Sequence, residues 1–142
     1  MMRQVFLLAV LGLVVSFCDG PDMESRFVKV KDAENGFYLF TVDMPDSLGS
    51  YDFGFYFKAD RPFADSRQYD IPVDVSWISP SSMIKLKERV YLSGRGDEGR
   101  VQEYRTGVRT SETGEWTIQV YPKEVPDGFQ GIGLTMKRNG AR

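Results

Sequence analysis

The chain has 142 residues, with 18 basic and 20 acidic side chains, one cysteine and no histidine. The length suits a single domain with a real core, and the missing histidine excludes Ser-His-Asp and Cys-His triads, histidine-ligated zinc and histidine acid–base chemistry. One cysteine forms no internal disulfide, a net charge of −2 offers no basic face for nucleic acid, and 42% hydrophobic residues are those of a folded protein.

The first element in chain order is an address. Residues 1–17 read MMRQVFLLAVLGLVVSF, with Arg3 ahead of an apolar run from Val5 to Val15. Such a run is short for a bilayer span and has the form of a secretory signal. Cys18 closes it, and the polar chain starts at Asp19. This resembles a bacterial lipoprotein signal, in which the cysteine becomes the first mature residue and carries acyl chains such as palmitate. Phe17 stands where such signals favour a small residue, and no Ala-x-Ala cleavage site competes nearby. Two acyl chains hold a protein stably on a membrane, because each buried CH₂ contributes about 0.8 kcal/mol. The blander reading is a soluble exported protein cut elsewhere, or a thiol buried near the start of the fold. The expected organisation is a signal over 1–17, the lipidated Cys18 with a polar tether over 18–25, and one domain over 26–142. The expected location is the cell envelope, on the periplasmic face or the cell surface.

Beyond residue 25, alternation of apolar and polar residues with period two dominates, as in half-buried strands. It predicts strands at Arg26–Lys31 and Gly36–Val42. Tyr51, Phe53, Phe55 and Phe57 alternate with Asp52, Gly54, Tyr56 and Lys58. Ile71, Val73, Val75 and Trp77 share one side of the next strand, and Pro72 places that strand at an edge or puts its first residues there. Ile84, Leu86, Glu88, Val90 and Leu92 follow, with Glu88 interrupting the apolar face and suggesting a bulge or an edge. A weaker pattern covers Val101–Val108. Trp116, Ile118 and Val120 alternate with Thr117, Gln119 and Tyr121, and Ile132, Leu134 and Met136 with Gly133, Thr135 and Lys137. Turn chemistry separates these runs at Asn35-Gly36, Leu48-Gly49-Ser50, Ser79-Pro80, Thr113-Gly114 and Pro126-Asp127-Gly128. No stretch offers three clean helical turns. The expected fold is all-β, an antiparallel β-sandwich of about eight strands, immunoglobulin-like or jelly-roll.

Motifs that look chemical have simpler accounts. Gly94-Arg-Gly-Asp-Glu-Gly99 matches GxGxxG, but a dinucleotide site needs a helix after the turn, and Asp97-Glu98 repels phosphate. It reads as a hairpin tip, and its Arg95-Gly96-Asp97 tripeptide is a chance match. Ser82-Met-Ile-Lys85 matches SxxK without the companion motifs of that enzyme class and reads as a turn entering a strand. Asp43, Asp46, Asp52, Asp60, Asp65, Asp70 and Asp74 are oxygen ligands of the type that holds Ca²⁺, yet without EF-hand spacing they read as solvated turns. No metal and no cofactor is expected. Phe53, Phe55 and Phe57 are expected in the core. Tyr38 and Tyr56 are the candidate exposed face for a sugar or a protein partner, with cross-strand packing as the simpler account.

Three stretches carry a resemblance: Val42-Asp-Met-Pro-Asp-Ser-Leu-Gly-Ser-Tyr-Asp-Phe-Gly-Phe-Tyr-Phe57, Ser111-Glu-Thr-Gly-Glu-Trp-Thr-Ile-Gln-Val120 and Gly128-Phe-Gln-Gly-Ile-Gly-Leu-Thr-Met136. Together with the lipoprotein-type signal, they resemble the gliding-motility lipoprotein GldH family of the Bacteroidetes over about residues 40–137. The loop after Leu92 departs from that family's pattern. The resemblance implies a non-enzymatic, membrane-anchored accessory protein of the cell envelope with protein partners, no catalytic residue and no necessary part in motility. A glycan-binding surface lipoprotein is the alternative, and a small hydrolase using a pair of carboxylates stands third.

Overall fold

The structure is a computed structural model, and it describes residues 23–45, 48–59, 68–95 and 99–139. The expected signal and Cys18 lie outside the described residues. Eight strands run in chain order: β1 (Met23–Lys29), β2 (Tyr38–Met44), β3 (Ser50–Ala59), β4 (Gln68–Ile78), β5 (Lys85–Arg95), β6 (Gln102–Val108), β7 (Gly114–Pro122) and β8 (Phe129–Asn139). The first sheet has the order β1-β8-β3-β6 and the second β2-β7-β4-β5, with every pairing antiparallel.

The pairings β1–β8, β2–β7, β3–β6 and β4–β5 are nested, so the chain is one long hairpin with its tip between β4 and β5. Rolling that hairpin adds the pairs β3–β8 and β4–β7 and separates two sheets. This is the jelly-roll, which decides between the two sandwich types expected. Inner faces follow the alternation: Tyr38, Phe40, Val42 and Met44 from β2, Phe53, Phe55 and Phe57 from β3, and Ile118 and Val120 from β7 are all buried together. Burying a side chain such as Phe40 or Phe55 contributes about 2 kcal/mol.

Several boundaries differ from expectation, each for a physical reason. β1 takes in Met23–Ser25, the last part of the expected tether, because these residues pair with Lys137, Met136 and Thr135 of β8. It stops at Lys29, where a 3-10 turn over Val30–Asp32 carries the chain to the other sheet. β4 is an inner strand and not an edge. Its ladder to β7 nevertheless ends at the Val73–Pro122 pair, so at Pro72 the strand has a neighbour only on the β5 side. A proline there is tolerated as it would be at an edge. β5 is the edge strand that Glu88 suggested, and its ladder to β4 runs unbroken from Lys85 to Arg95. The bulges lie instead in β6, where the register to β3 shifts on both sides of Phe53, and in the β3–β8 ladder between Lys58 and Ala59.

The turns sort to two ends of the roll. At one end lie the start of β1, the β2–β3, β4–β5 and β6–β7 connections and the end of β8. The opposite end carries the ends of β1, β3, β5 and β7 and the starts of β2, β4, β6 and β8. β6 is extended after the GxGxxG segment, but β5 and β6 belong to different sheets, so this segment joins the two sheets and is not the hairpin tip expected. Residues 96–98 lie outside the described residues.

Candidate functional site

The expected tyrosine face does not form. Tyr38 is only 4% exposed, packs edge-on against Phe129 and belongs to the core, where burial raises its hydroxyl pKa. It shares the inward phase of Phe40, Val42 and Met44, a pattern visible in the sequence and outweighed there by the polar tip of tyrosine. Tyr56 is on the other sheet. Its ring lies over Gly133, where an added Cβ would fall 2.0 Å from the ring, and stacks on Phe27 at 5.8 Å and 17°. The two rings fill the space that Gly131 and Gly133 leave on β8, so cross-strand packing is the observed arrangement. Tyr38 and Tyr56 therefore share no surface.

An aromatic pair of a different kind occupies the outer face of the second sheet. Asn35 and Gly36 take positive φ (55° and 86°), and Glu34 and Phe37 exchange backbone hydrogen bonds of 2.9 Å in both directions. An Asn-Gly turn does this because both central residues tolerate φ > 0. The tight turn sets Phe37 beside Tyr121, ring centroids 4.9 Å apart and tilted by 39°. Gly36 also has to approach closely, since an added Cβ would meet the Tyr121 ring at 3.0 Å. The pair borders a hollow of about 470 Å³ whose other walls are Asp74, Ser76, Lys87 and Lys123. Asp74 accepts a hydrogen bond from Arg89 Nε at 3.2 Å. The outward phase of β5 adds Lys85, Lys87, Arg89 and exposed Tyr91 along one edge. Sequence reading put Tyr121 on the polar side of its strand, but nothing local tells which residues of β2, β4 and β5 stand beside it.

A second, larger depression opens where the sandwich parts between β5 and β6. This groove of about 570 Å³ has Met44, Trp77, Leu86, Val108 and Trp116 on its apolar side and Lys87, Arg105 and Arg109 at its rim. One wall is a polar cluster. Glu88 reaches inward from β5, because it shares the phase of Val90 and Leu92. The bulge in β6 brings both Tyr104 and Arg105 to it. Arg105 grips the Glu88 carboxylate with two bonds, 2.9 Å from Nε and 2.6 Å from Nη2. Tyr104 donates its hydroxyl proton to Glu88 and accepts from Trp77 Nε1 at 2.9 Å. Arg105 first, and Tyr104 less, hold the Glu88 carboxyl below the usual glutamate value against the opposing effect of burial. Burial, then Glu88, push the Tyr104 hydroxyl up to about 12, and Glu88 raises the Arg105 guanidinium further. Glu88 thus holds both Arg105 and Tyr104, and Tyr104 holds Trp77, so the cluster ties β5, β6 and β4 together along one wall of the groove. Beside it Gln102 donates to the Tyr91 carbonyl at 2.9 Å and accepts from the Ser93 N–H at 2.7 Å, covering edge groups of β5.

The remaining expected residues are spread out. Asp52 accepts from the Gly107 N–H at 2.8 Å and Asp70 from the Ser93 hydroxyl at 2.7 Å. Among the described residues, no three metal-ligating side chains converge. Asp46, Asp60 and Asp65 lie outside the described residues, as does Cys18. Ser82 and Lys85 belong to the β4–β5 turn and the exposed start of β5. Set against known protein families, curated proteins and solved structures, the chain matches none of them.

Proposed function

We propose that this chain is a lipid-anchored, non-enzymatic accessory protein of the bacterial cell envelope, of the kind the gliding-motility lipoprotein GldH family represents. It acts through protein contacts, and motility is not part of the reading. The observation that carries the proposal is the place of Cys18, three positions after the apolar run ends at Val15 and five positions before β1 begins at Met23. A diacylated residue there leaves the whole roll outside the bilayer on a short tether. The contact surface proposed is the outer face of the second sheet. Its tilted Phe37–Tyr121 pair, Tyr91 and Arg89 are the residue types that anchor protein interfaces.

Palmitate labelling of cells making the full chain tests the anchor. Label is expected in the wild type and lost in Cys18→Ala, with the protein leaving the membrane fraction. Equal fractionation of both chains, without label in either, overturns the anchor. A photo-crosslinking residue at position 121 is expected to trap an envelope protein that one at Tyr56 does not.

A glycan ligand is the second reading, favoured by the same hollow, in which two aromatic rings stand beside Asp74, Lys87 and Lys123. A saturable hit on a glycan array, lost in Tyr121→Ala, with no protein crosslinked at position 121, would reverse the order.

A further inference from the structure

We infer that the end of the roll carrying the β4–β5 turn rests on the membrane that holds Cys18, with Met83 and Leu48 set into the lipid headgroup region. This orientation rests on the acylation of Cys18 proposed above.

The first support is the distribution of exposed apolar side chains. The four most exposed large ones among the described residues are Met83 (84%), Leu48 (72%), Leu86 (60%) and Met23 (56%). All four lie at the same end, next to the start of β1, where the tether joins the fold. They come from three separate parts of the chain that only the topology brings together. The less exposed Val30, Phe37, Tyr91, Val101 and Val125 lie toward the opposite end, so exposure ranks the two ends and the tether decides between them.

The second support is that ordered turns present these side chains. Within the β4–β5 turn the Ser79 hydroxyl accepts from the Ile84 N–H at 3.0 Å, and the Ser82 N–H bonds to the Ser79 carbonyl at 2.9 Å. Glu112 of the neighbouring turn accepts from the Ser81 N–H at 2.5 Å and the Ser81 hydroxyl at 2.9 Å. Trp116 Nε1 donates to the Glu112 carbonyl at 2.9 Å, and Arg109 Nη1 to the Leu48 carbonyl at 3.3 Å. The three turns at this end are thus tied to one another. Met83 stands out from a braced turn, a position without intramolecular gain for an apolar side chain.

The third support is reach. From Cys18 to Met23 the chain spans at most about 18 Å. Were the opposite end on the membrane, Met23 would stand above it by the length of β1, about 20 Å, plus the turns beyond. The tether favours the end it enters. Charges here are mixed: Glu88 and Glu112 are engaged within the protein, Asp43 and Glu115 are exposed, and Lys85, Lys87 and Arg109 stand near the apolar side chains. Long basic side chains lay their stems on apolar surface and put their charge at phosphate level.

The test uses the full chain, made in a bacterium that acylates it and reconstituted into phosphatidylglycerol–phosphatidylcholine vesicles with spin-labelled lipid. Single cysteines at Met83→Cys or Leu48→Cys, and at Val125→Cys or Val101→Cys on the opposite end, carry a fluorophore. All four positions are exposed, so folding should survive, and circular dichroism verifies it. Mass spectrometry of the N-terminal peptide reads acylation separately. With Cys18 acylated, quenching several-fold stronger at 83 and 48 than at 125 and 101 supports the orientation. Equal quenching, or stronger quenching at 125, overturns it while leaving the anchor intact. A chain without acyl groups overturns the anchor and the orientation together.

Discussion

Each sheet carries an aromatic pair on its outer face, and the two pairs do opposite things. Phe27 and Tyr56 lie nearly parallel on the first sheet, over Gly131 and Gly133, and their rings stand in for side chains that β8 lacks. Phe37 and Tyr121 stand tilted on the second sheet beside Asp74, Ser76 and Lys87, with a hollow next to them. The first pair completes the fold, and the second is available to something else. An outward tyrosine is therefore not evidence of a binding surface until its floor is known.

The strongest way to break this contrast is to fill the glycine floor. In Gly131→Ala the new Cβ would lie 2.3 Å from the Val28 carbonyl oxygen, a backbone atom that cannot swing aside. Urea unfolding should show a loss of about 3 kcal/mol, the upper range for overpacking. Gly133→Ala should cost about 2 kcal/mol, and Tyr56→Ala in the same chain should recover part of it, because the ring itself is the obstacle. Additive losses in the double variant would contradict the floor-filling role of Tyr56.

The polar cluster at the open side of the sandwich gives the next effect. Tyr104→Phe leaves Trp77 Nε1 without its acceptor and Glu88 without one donor. A loss of about 1 to 3 kcal/mol is expected on thermal or urea unfolding. The pH dependence follows from the same groups. Glu88 has a lowered folded pKa, so its contribution is complete above the ordinary value of 4.5 and fades as pH falls through the lower folded value. Tyr104 has a raised one, so its contribution is complete below 10 and is lost as pH rises toward about 12. Stability measured across pH should flatten in the acid limb in Glu88→Gln and in the alkaline limb in Tyr104→Phe.

The smallest expected change in stability is at the second pair. Tyr121→Ala should cost less than about 1 kcal/mol, because the ring lies on the outer face of its sheet beside the hollow. It should nonetheless abolish capture of the partner by a photo-crosslinking residue placed at position 37, next to the lost ring. Tyr56→Ala should do the reverse, lowering stability and leaving capture unchanged. Both variants affecting stability alike would erase the distinction between the two faces.

Most strands were legible because burial on one side of a sheet imprints a period of two, as in Phe53-Gly-Phe-Tyr-Phe57 and Trp116-Thr-Ile-Gln-Val120. The edge position of β5 was legible through Glu88, a charge placed where only the rim of a core accepts one. The candidate surfaces were not. Tyr38 looked outward by its chemistry and points inward by its phase, and Tyr121 became notable only beside Phe37 and Asp74, residues far from it in sequence.

The sequence by itself determined the all-β class, the approximate strands and the aromatic core, because local alternation and composition are properties of neighbouring residues. Only the tertiary structure decided the nested pairing, which of two sandwich types forms, which aromatic pair covers the glycines of a neighbouring strand, and that Met23, Leu48, Met83 and Leu86 share one end. The physical reason is common to all four. Cross-strand register and the gathering of turns depend on contacts between distant segments, and a pattern of period two says which way a side chain points without saying what it will meet.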